Sequence, residues 1–323
     1  MRLKLVPQHT NWNFFSRPAL WLGISALLVL LSVASFAVRG LNYGIDFQGG
    51  TTIRTQSAQP VDVAAYRAAL DGLGLGDVVI SEVFDPSFGP DQNVAMVRIQ
   101  AQEGQEAVTA DVIEQARGAL TEVAEDIRFT SVESVGPKVS GELIQTAFIA
   151  VALAIAAVLV YIWLRFEWQF ALGAVVALAH DVLVTLGIFS LLQIRFDLAI
   201  IAALLTIVGY SINDTVVIFD RVRENLIKFK TRDLKDLLNL SINETLSRTF
   251  MTSATTLLAL IALIVLGGDV IRGFVFAMIW GVLVGTYSTV FVASAILLRL
   301  GVKRDWTKPS GDQTGNQFGD VDA

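Results

Sequence analysis

The sequence predicts a polytopic α-helical membrane protein with one α+β domain outside the bilayer. Hydrophobic residues make up 54% of the chain and charged residues 17%, whereas a soluble domain carries about 25% charged residues. Six apolar segments are long enough to cross a bilayer, which takes about 20 residues each. The polar stretch between the first two segments contains no such run. These observations favour six transmembrane helices and a single extracytoplasmic domain.

The chain begins with a polar segment, residues 1–18, which we expect in the cytoplasm. Residues 19–38 are almost wholly apolar and predict the first transmembrane helix. A cleaved signal peptide is the alternative, because Ser35-Phe36-Ala37 resembles a cleavage site. The apolar core of a signal peptide has about 7–15 residues, and this run is longer. The sequence therefore favours a retained helix.

Residues 39–142 predict a folded domain, with 16 Asp and Glu against 7 Lys and Arg. Alternation and turn signals predict strands at 50–56, 78–84, 93–100 and 127–134, and helices at 61–72 and 107–125. The order β-α-β-β-α-β is that of a ferredoxin-like sandwich. The predicted core includes Val79, Val97, Ile99, Ile113, Leu120 and Phe129.

Five further transmembrane helices are predicted within residues 143–300, at about 143–164, 170–192, 198–219, 250–267 and 273–299. A cytoplasmic N-terminus places fifteen Lys and Arg in inner segments and two in outer loops. The excess of Lys and Arg inside predicts that both termini are cytoplasmic and that the large domain is extracytoplasmic. The tail, residues 301–323, is rich in Gly, Asp and Gln and predicts disorder.

The connection 220–249 is the longest one after the domain. Its pattern predicts an amphipathic helix on the inner membrane surface. The apolar anchors would be Leu226, Phe229, Leu234, Leu237 and Leu238. Contact with a partner subunit would produce the same pattern.

The fourth transmembrane segment carries a carboxylate, Asp214, with apolar residues on both sides. An ionised carboxylate in hydrocarbon costs about 2.5–3.5 kcal/mol, so such a residue usually faces a protein interior or a water-filled path. On a helix Asp214 shares a face with Thr206, Tyr210 and Asn213. We predict a buried, hydrated face. The alternative is that the span ends near Ile212 and that Asp214 caps it at the surface.

The fifth segment carries a cation, Arg248, on a face with Thr245, Thr252 and Thr255. Arg248 lies at the cytoplasmic end of its span, and Asp214 lies about 24 Å along a helix that descends from outside. The two residues are therefore at similar depth, and an Asp–Arg pair is geometrically possible. Alternatively, Arg248 reaches anionic headgroups.

The third segment repeats small and polar residues every four positions: Gly173, Ala177, Asp181 and Thr185. Such a face allows close helix contact. Asp181 lies about 17 Å from the cytoplasmic end, and the neighbouring His180 could share protons with it. The alternative is that each side chain bonds a neighbouring helix. In the last segment Gly281 and Gly285 permit close backbone approach.

Five residues mark the junctions between the domain and the first two spans: Asp46, Gly49, Gly50, Gly136 and Pro137. Gly permits unusual backbone angles and Pro fixes φ, so the junctions predict hinges. Geometry that closes the ends of the sheet is an equal alternative.

Four motifs carry a resemblance to a known family. They are Gly-Ile-Asp-Phe-Gln-Gly-Gly at 44–50, Ser-Val-Gly-Pro at 134–137, Ala-His-Asp-Val at 179–182, and the stretch 213–225. With six spans and one domain after the first, the chain resembles the SecD/SecF family of bacterial protein-export membrane proteins, and within it the SecF subunits. That family belongs to the resistance–nodulation–division (RND) superfamily. The resemblance covers about residues 10–300.

The resemblance implies an RND-type half that uses the proton motive force to assist late protein translocation. It implies a multi-pass protein of the bacterial inner membrane whose partners are SecD, the SecYEG channel, YajC, YidC, the translocating unfolded polypeptide and the bilayer, with no nucleic acid. It places Asp214 and Arg248 on the proton path. The residues predicted for the relay are Asp214, Arg248, Asp181, Asn213 and His180.

Two other classes of function stay open. A small-molecule or lipid exporter of the same superfamily generally has larger external regions than 39–142. An intramembrane aspartyl protease would use Asp181 and Asp214 as a dyad, but the expected Gly-x-Gly-Asp motif is absent. We expect no enzyme activity, no cofactor and no metal, since the chain has no cysteine, two histidines and no phosphate-binding loop. Protons are the predicted coupling ion.

Overall fold

The computed structural model describes residues 10–76, 78–100 and 108–302. The predicted tail lies outside the described residues except for 301 and 302, and so does half of the N-terminal segment. In chain order the elements are α1 (Pro18–Arg39), β1 (Asn42–Tyr43), α2 (Ile45–Gln48), β2 (Gly50–Ser57), α3 (Val63–Asp71), β3 (Val78–Val83), β4 (Asn93–Gln100), α4 (Ala110–Val123), β5 (Arg128–Val135), α5 (Pro137–Arg165), α6 (Trp168–Leu192), β6 (Arg195–Phe196), α7 (Leu198–Lys228), α8 (Leu234–Leu266), α9 (Asp269–Ser288), a π-helical segment (Thr289–Ala293) and α10 (Ser294–Leu300).

Six helices among the described residues are long and apolar enough to cross a membrane, which confirms the predicted number of spans. They are α1, α5, α6, α7, α8 and the continuous run from α9 to α10. The last run is interrupted by the π-helical segment. Such segments inside α-helices are frequent at functional sites.

Helix α6 is the centre of the bundle, because α1, α5, α7 and α9 all pack against it. Its small and polar face is buried as predicted, at Gly173, Ala177, Asp181 and Thr185. A Cβ atom at Gly173 would lie 2.9 Å from the carbonyl oxygen of Ala293 in the π-helical segment. Glycine therefore sets the closeness of α6 to the last span.

The described part of the domain has the predicted order β-α-β-β-α-β. Its four strands are antiparallel in the order β3-β4-β2-β5, and α3 and α4 share one core with the sheet. Val97, Ile99 and Leu120 are buried as predicted, and Ile113 and Phe129 are half-buried. The prediction that Val79 belongs to the core is wrong: Val79 is 47% exposed, while Val78 and Ile80 face the core. Alternate residues of a strand face opposite sides, so an error of one position reverses the assignment.

The prediction of an amphipathic surface helix at 220–249 is wrong. Helix α7 continues to Lys228, and α8 begins at Leu234 and runs on into the fifth span. Leu226, Leu237 and Leu238 are fully buried in the core of the helical bundle, so they do not anchor the chain in lipid. The segment is a helical hairpin that prolongs two spans.

Two contacts far apart in sequence seat the domain on the bundle. The short strands β1 and β6 pair in parallel, with Asn42 opposite Arg195 and Tyr43 opposite Phe196. At the end of β3, the Phe84 backbone N–H donates to Asp269 Oδ2 at 2.7 Å, and the Asp269 N–H donates to the Phe84 carbonyl at 2.9 Å. The sheet is thereby attached to the loop before α7 and to the first turn of α9.

Candidate functional site

Asp214 is the buried carboxylate of helix α7, with 3% of its side chain exposed. The helix continues through it for 14 residues to Lys228, so Asp214 does not cap a helix at the surface. Arg248 of α8 lies close enough for its charge to act on the carboxyl group, and the Thr252 hydroxyl lies close enough to Asp214 to exchange a hydrogen bond with it. Among the described residues Asp214 and Arg248 do not form a direct ion pair, so Arg248 acts on Asp214 through its charge, and Thr252 is the α8 hydroxyl near the carboxyl group.

Thr252 sits one turn after Arg248 and also contacts the backbone of its own helix. Its hydroxyl lies 3.1 Å from the Arg248 carbonyl oxygen and 2.9 Å from that of Thr249. A hydroxyl has one proton to donate and two lone pairs to accept with. Thr252 can therefore donate to the helix or to Asp214, but not to both at full strength.

The predicted polar face of α7 is divided by the fold. Asp214 is buried, whereas Thr206 and Asn213 are exposed and Tyr210 is half-buried. The Tyr210 hydroxyl donates to Thr256 of α8 at 3.5 Å. Arg248 and Thr255 of α8 are also exposed. In the chain by itself, a polar strip on two membrane helices thus borders the buried Asp214.

Asp181 of α6 lies in a separate buried network, with 1% of its side chain exposed. Its Oδ2 accepts hydrogen bonds from Ser211 of α7 and Ser288 of α9, both at 2.8 Å. Its Oδ1 lies 3.0 Å from Nδ1 of His180. An ionised Asp181 would accept from all three groups, which brings three helices together at one carboxylate.

His180 faces the core with 4% of its side chain exposed. Its Nδ1 contacts Asp181, and its Nε2 is buried without a hydrogen-bond partner among the described residues. The ring lies 6.1 Å from that of Tyr287, measured between centroids. The structure thus joins His180 to Asp181, and not to Asp214.

The Asp181 network continues into the π-helical segment. The hydroxyls of Thr215 and Thr289 are 2.9 Å apart and buried, and Thr215 also donates to the Ser211 carbonyl at 3.1 Å. Ser211 lies three residues before Asp214, so the two networks meet within one turn of α7. Sequence reasoning missed Ser211 and Ser288, and it placed Thr252 on the face of Arg248 without giving it a role. A hydroxyl every turn along α8 was visible, but Ser and Thr in such helices commonly bond their own backbone.

The junction residues fix the start of α7 and of β2. Asp46 Oδ2 accepts from the backbone N–H of Leu198 at 3.0 Å, across 152 residues of chain, and so caps the first turn of α7. Gly49 and Gly50 have φ of 75° and 132°, which side chains rarely adopt. Gly136 has an extended conformation and is the N-cap of α5, with Pro137 at the first helical position. Their predicted role as hinges stays a prediction.

Charged side chains surround this junction. Arg98 of β4 lies near Arg195, Asp197 and Asp46; burial, and then the Arg195 charge, lower the pKa of Arg98 to about 10. Burial raises the pKa of Asp197, against the opposing effect of Arg195. The guanidinium of Arg195 reaches Met96 of β4, with 3.5 Å between Nη1 and Sδ. Strand β4 of the sheet thus interacts electrostatically with the residues at the start of α7.

The positions of the two buried carboxyl groups bear on the protease alternative. No group of three His, Asp or Glu within the described ranges could hold a metal ion. A protease dyad would need Asp181 and Asp214 to share a proton. The two carboxyl groups have different neighbours: Ser211 and Ser288 donate to Asp181, whereas the hydroxyl near Asp214 is that of Thr252.

Comparison with known proteins identifies the family. Residues 115–303 match the family described as protein export membrane protein SecD/SecF, C-terminal, and residues 34–61 match the SecD/SecF GG motif. The protein translocase subunit SecF of Cereibacter sphaeroides is 61% identical over 100% of this chain and 99% of its own length. The chain belongs to the SecF family of protein translocase subunits.

Other relatives agree in sequence and in structure. The protein translocase subunit SecF of Vibrio alginolyticus is 41% identical over 92% of both chains. The crystal structure of SecDF, a translocon-associated membrane protein from Thermus thermophilus, is 35% identical with a TM-score of 0.78. The match covers 92% of this chain and 39% of the SecDF chain, so this SecF-family chain corresponds to one part of that larger protein.

Proposed function

We propose that this subunit couples proton movement through the membrane to protein export, with Asp214 as the proton carrier. The observation that supports this is the position of Asp214: buried in a spanning helix, influenced by the charge of Arg248 and close to the Thr252 hydroxyl. A carboxylate in a poorly hydrated interface binds a proton readily, and its loss of charge changes which partners it prefers. Each proton that crosses 100 mV releases about 2.3 kcal/mol.

Thr252 gives the two protonation states different hydrogen bonds. A charged Asp214 accepts the Thr252 proton and is attracted by Arg248. A neutral Asp214 donates its own proton to the Thr252 oxygen, and the hydroxyl then donates to the carbonyl of Arg248 or Thr249. Protonation of Asp214 thereby weakens the interaction between α8 and α7 at the depth of Asp214.

A movement of α7 would reach both the bundle core and the external domain. Ser211, one turn from Asp214, binds Asp181 together with Ser288 of α9. At the other end of α7, Asp46 caps the helix, and β6 pairs with β1. We propose that Asp181 and His180 hold the three helices together in each state, and that the domain junction transmits the movement.

The exposed polar strip, which we define as Thr206, Asn213, Arg248 and Thr255, is where we place the SecD partner. Polar groups at membrane depth are tolerated when they face protein or a water-filled cavity. A subunit with complementary polar groups would cover the strip and enclose a hydrated path to Asp214. SecYEG, YajC, YidC and the translocating polypeptide are further proposed partners.

The orientation that fits this role puts both termini in the cytoplasm and the domain outside, where it would meet the emerging polypeptide. The count of fifteen inner against two outer cations supports it.

The test is Asp214→Asn, which keeps shape and hydrogen-bonding capacity but removes the titratable charge. The variant should insert and bind its partner, yet lose the part of export that depends on the proton gradient, while the ATP-driven part continues. Arg248→Met should resemble it, because a carboxyl group without its cation tends to stay protonated. Asp220→Asn is the matched control: Asp220 lies six residues on, 46% exposed, and pairs with Arg165 at 3.4 Å. Normal gradient-dependent export by Asp214→Asn would remove the carrier role.

A further inference from the structure

An apolar cavity of about 410 Å³ lies between α1 and α5 in the half of the bundle nearest the domain, which is the outer half in the proposed orientation. Both of these helices pack on α6, which forms the back wall. The walls are almost wholly hydrocarbon, and six of the residues that form them are Val33, Phe36, Phe148, Val151, Leu186 and Leu204. Water needs 2–4 polar partners to occupy such a space, so this cavity is suited to an apolar occupant.

The cavity opens sideways toward the bilayer. Phe148 on α5 is 65% exposed, and Val33 and Phe36 on α1 are 48% and 40% exposed. These residues both line the space and form the lipid-facing surface of the spanning helices. A hydrocarbon chain from the surrounding bilayer can therefore enter without crossing a polar barrier.

A cation, Arg39, follows the residues of α1 that line the cavity. Arg39 is the last residue of α1, between the lining residues Phe36 and Leu41. Its Nη1 donates to the carbonyl oxygen of Leu191 at 2.8 Å, which ties the guanidinium to the end of α6. A guanidinium has five N–H donors, and within the described part of the chain no acidic side chain forms an ion pair with Arg39. Arginine binds phosphate through two parallel hydrogen bonds.

We propose that this cavity is a binding site for an anionic phospholipid of the outer leaflet, with one acyl chain between α1 and α5 and the phosphate on Arg39. The bilayer is already apolar, so entry of the acyl chain releases little hydrophobic free energy. Selectivity therefore comes from the headgroup. The headgroup of phosphatidylglycerol has no cation of its own to compete with Arg39, whereas that of phosphatidylcholine does.

The site lies directly beneath the domain junction. Phe47 and Phe196 line its outer end, next to Asp46 and Asp197, and their rings are 5.8 Å apart. A bound acyl chain would fill the space beneath the β1–β6 pair and support the cap that Asp46 places on α7. The site does not depend on whether Asp214 carries a proton.

The test uses the full chain with its native partners, reconstituted in vesicles that contain a phospholipid with a photoactivatable acyl chain. Phosphatidylglycerol and phosphatidylcholine versions are compared, and crosslinked peptides are mapped by mass spectrometry. Crosslinks from phosphatidylglycerol should concentrate on Val33–Phe36 and Phe148–Val151. The exposed residues Leu258 and Val265 of α8 give the background of ordinary lipid contact.

Two variants separate the parts of the site. Ala152→Trp fills the cavity from an exposed position of α5 and should lower the specific crosslinks ~10-fold, an effect of about 1.4 kcal/mol. Arg39→Gln should abolish the preference for phosphatidylglycerol, and Arg39→Lys should keep part of it. Thermal unfolding of each variant checks that the fold is kept. Cavity crosslinks at the α8 background level, insensitivity to Ala152→Trp, or lipid crosslinks on a partner polypeptide instead of on the cavity residues would each overturn the proposal.

Discussion

The Thr252 hydroxyl has one proton and three oxygen neighbours: the Asp214 carboxyl group and the carbonyls of Arg248 and Thr249. Which of them receives the proton depends on the charge of Asp214. In the proposed cycle Thr252 therefore communicates the protonation state of Asp214 to α8, while Arg248 acts through its charge.

Thr252→Val keeps the shape of the side chain and removes the hydroxyl. A hydrogen bond to a charged group contributes about 1.5–3 kcal/mol, so gradient-dependent export should fall ~10-fold or more while the protein still inserts. The control is Thr245→Val, because the Thr245 hydroxyl bonds only the backbone of its own helix, at Ser241 and Ile242, and lies outside the exposed polar strip. Rates of gradient-dependent export in vesicles measure both. Equal rates for the two variants would mean that Thr252 has no special role.

At this scale the sequence predicts the proximity of Asp214 and Arg248 from depth alone, because helix rise converts residue counts into distance. It does not separate Asp214 from Asn213, which are adjacent in sequence but 100° apart around the helix. That division depends on which helix packs on each side of α7. His180 and Asp181 do contact each other, but the serines that bind Asp181 come from two other helices and carry no signal of their own.

Glycines on α9 determine how α7 is seated. A Cβ atom at Gly281 would collide with the Ile207 side chain, and one at Gly285 would lie 3.1 Å from Cβ of Ser211. The close contact between α9 and α7 therefore keeps Ser211 within hydrogen-bonding reach of Asp181. It also keeps Asp214 at its depth in the bundle. The pattern Gly-x-x-x-Gly predicts the close approach of another helix, and the structure identifies that helix as α7.

Gly281→Leu should destabilise the bundle by about 1–3 kcal/mol, because overpacking forces neighbouring side chains and backbone to move. The double variant Gly281→Leu with Ile207→Ala should recover part of that loss, since it removes the colliding side chain. Gly23→Leu on α1 is the control, as nothing lies within 4 Å of a Cβ there. Thermal unfolding in detergent ranks the stabilities of these three variants. An equal loss for Gly23→Leu would show that bulk at any spanning glycine is harmful.

The two wrong predictions at the scale of elements have a common cause. The leucines of 220–249 were assigned to lipid and Val79 to the core, but an apolar residue does not say which apolar surface it meets. Leu237 and Leu238 pack on the bundle because α8 is continuous with the fifth span. Val79 alternates with Val78 and Ile80, and only the helices that cover one face of the sheet decide which set is buried.

At the scale of the whole molecule, the number of spans and the element order of the domain follow from local patterns. The position of the domain on the helical bundle does not follow from local patterns. The β1–β6 pair, the Asp46 cap on Leu198 and the Phe84–Asp269 contacts join residues more than 150 positions apart. Two-residue strands and single backbone hydrogen bonds leave no periodic signal in a sequence. They are nevertheless the contacts through which a movement of α7 would reach the domain.

The orientation can be tested with single cysteines, because the natural chain has none. Gly89→Cys places a thiol at an exposed turn of the domain, with nothing within 4 Å of its Cβ, and Lys230→Cys places one in the exposed turn between α7 and α8. In right-side-out membrane vesicles a membrane-impermeant maleimide should label Gly89→Cys at once, and Lys230→Cys only after permeabilisation. The fifteen inner cations predict this result through the positive-inside rule. The reverse pattern would put the domain in the cytoplasm, away from the emerging polypeptide, and labelling of both sites in sealed vesicles would mean that the chain inserts in two orientations.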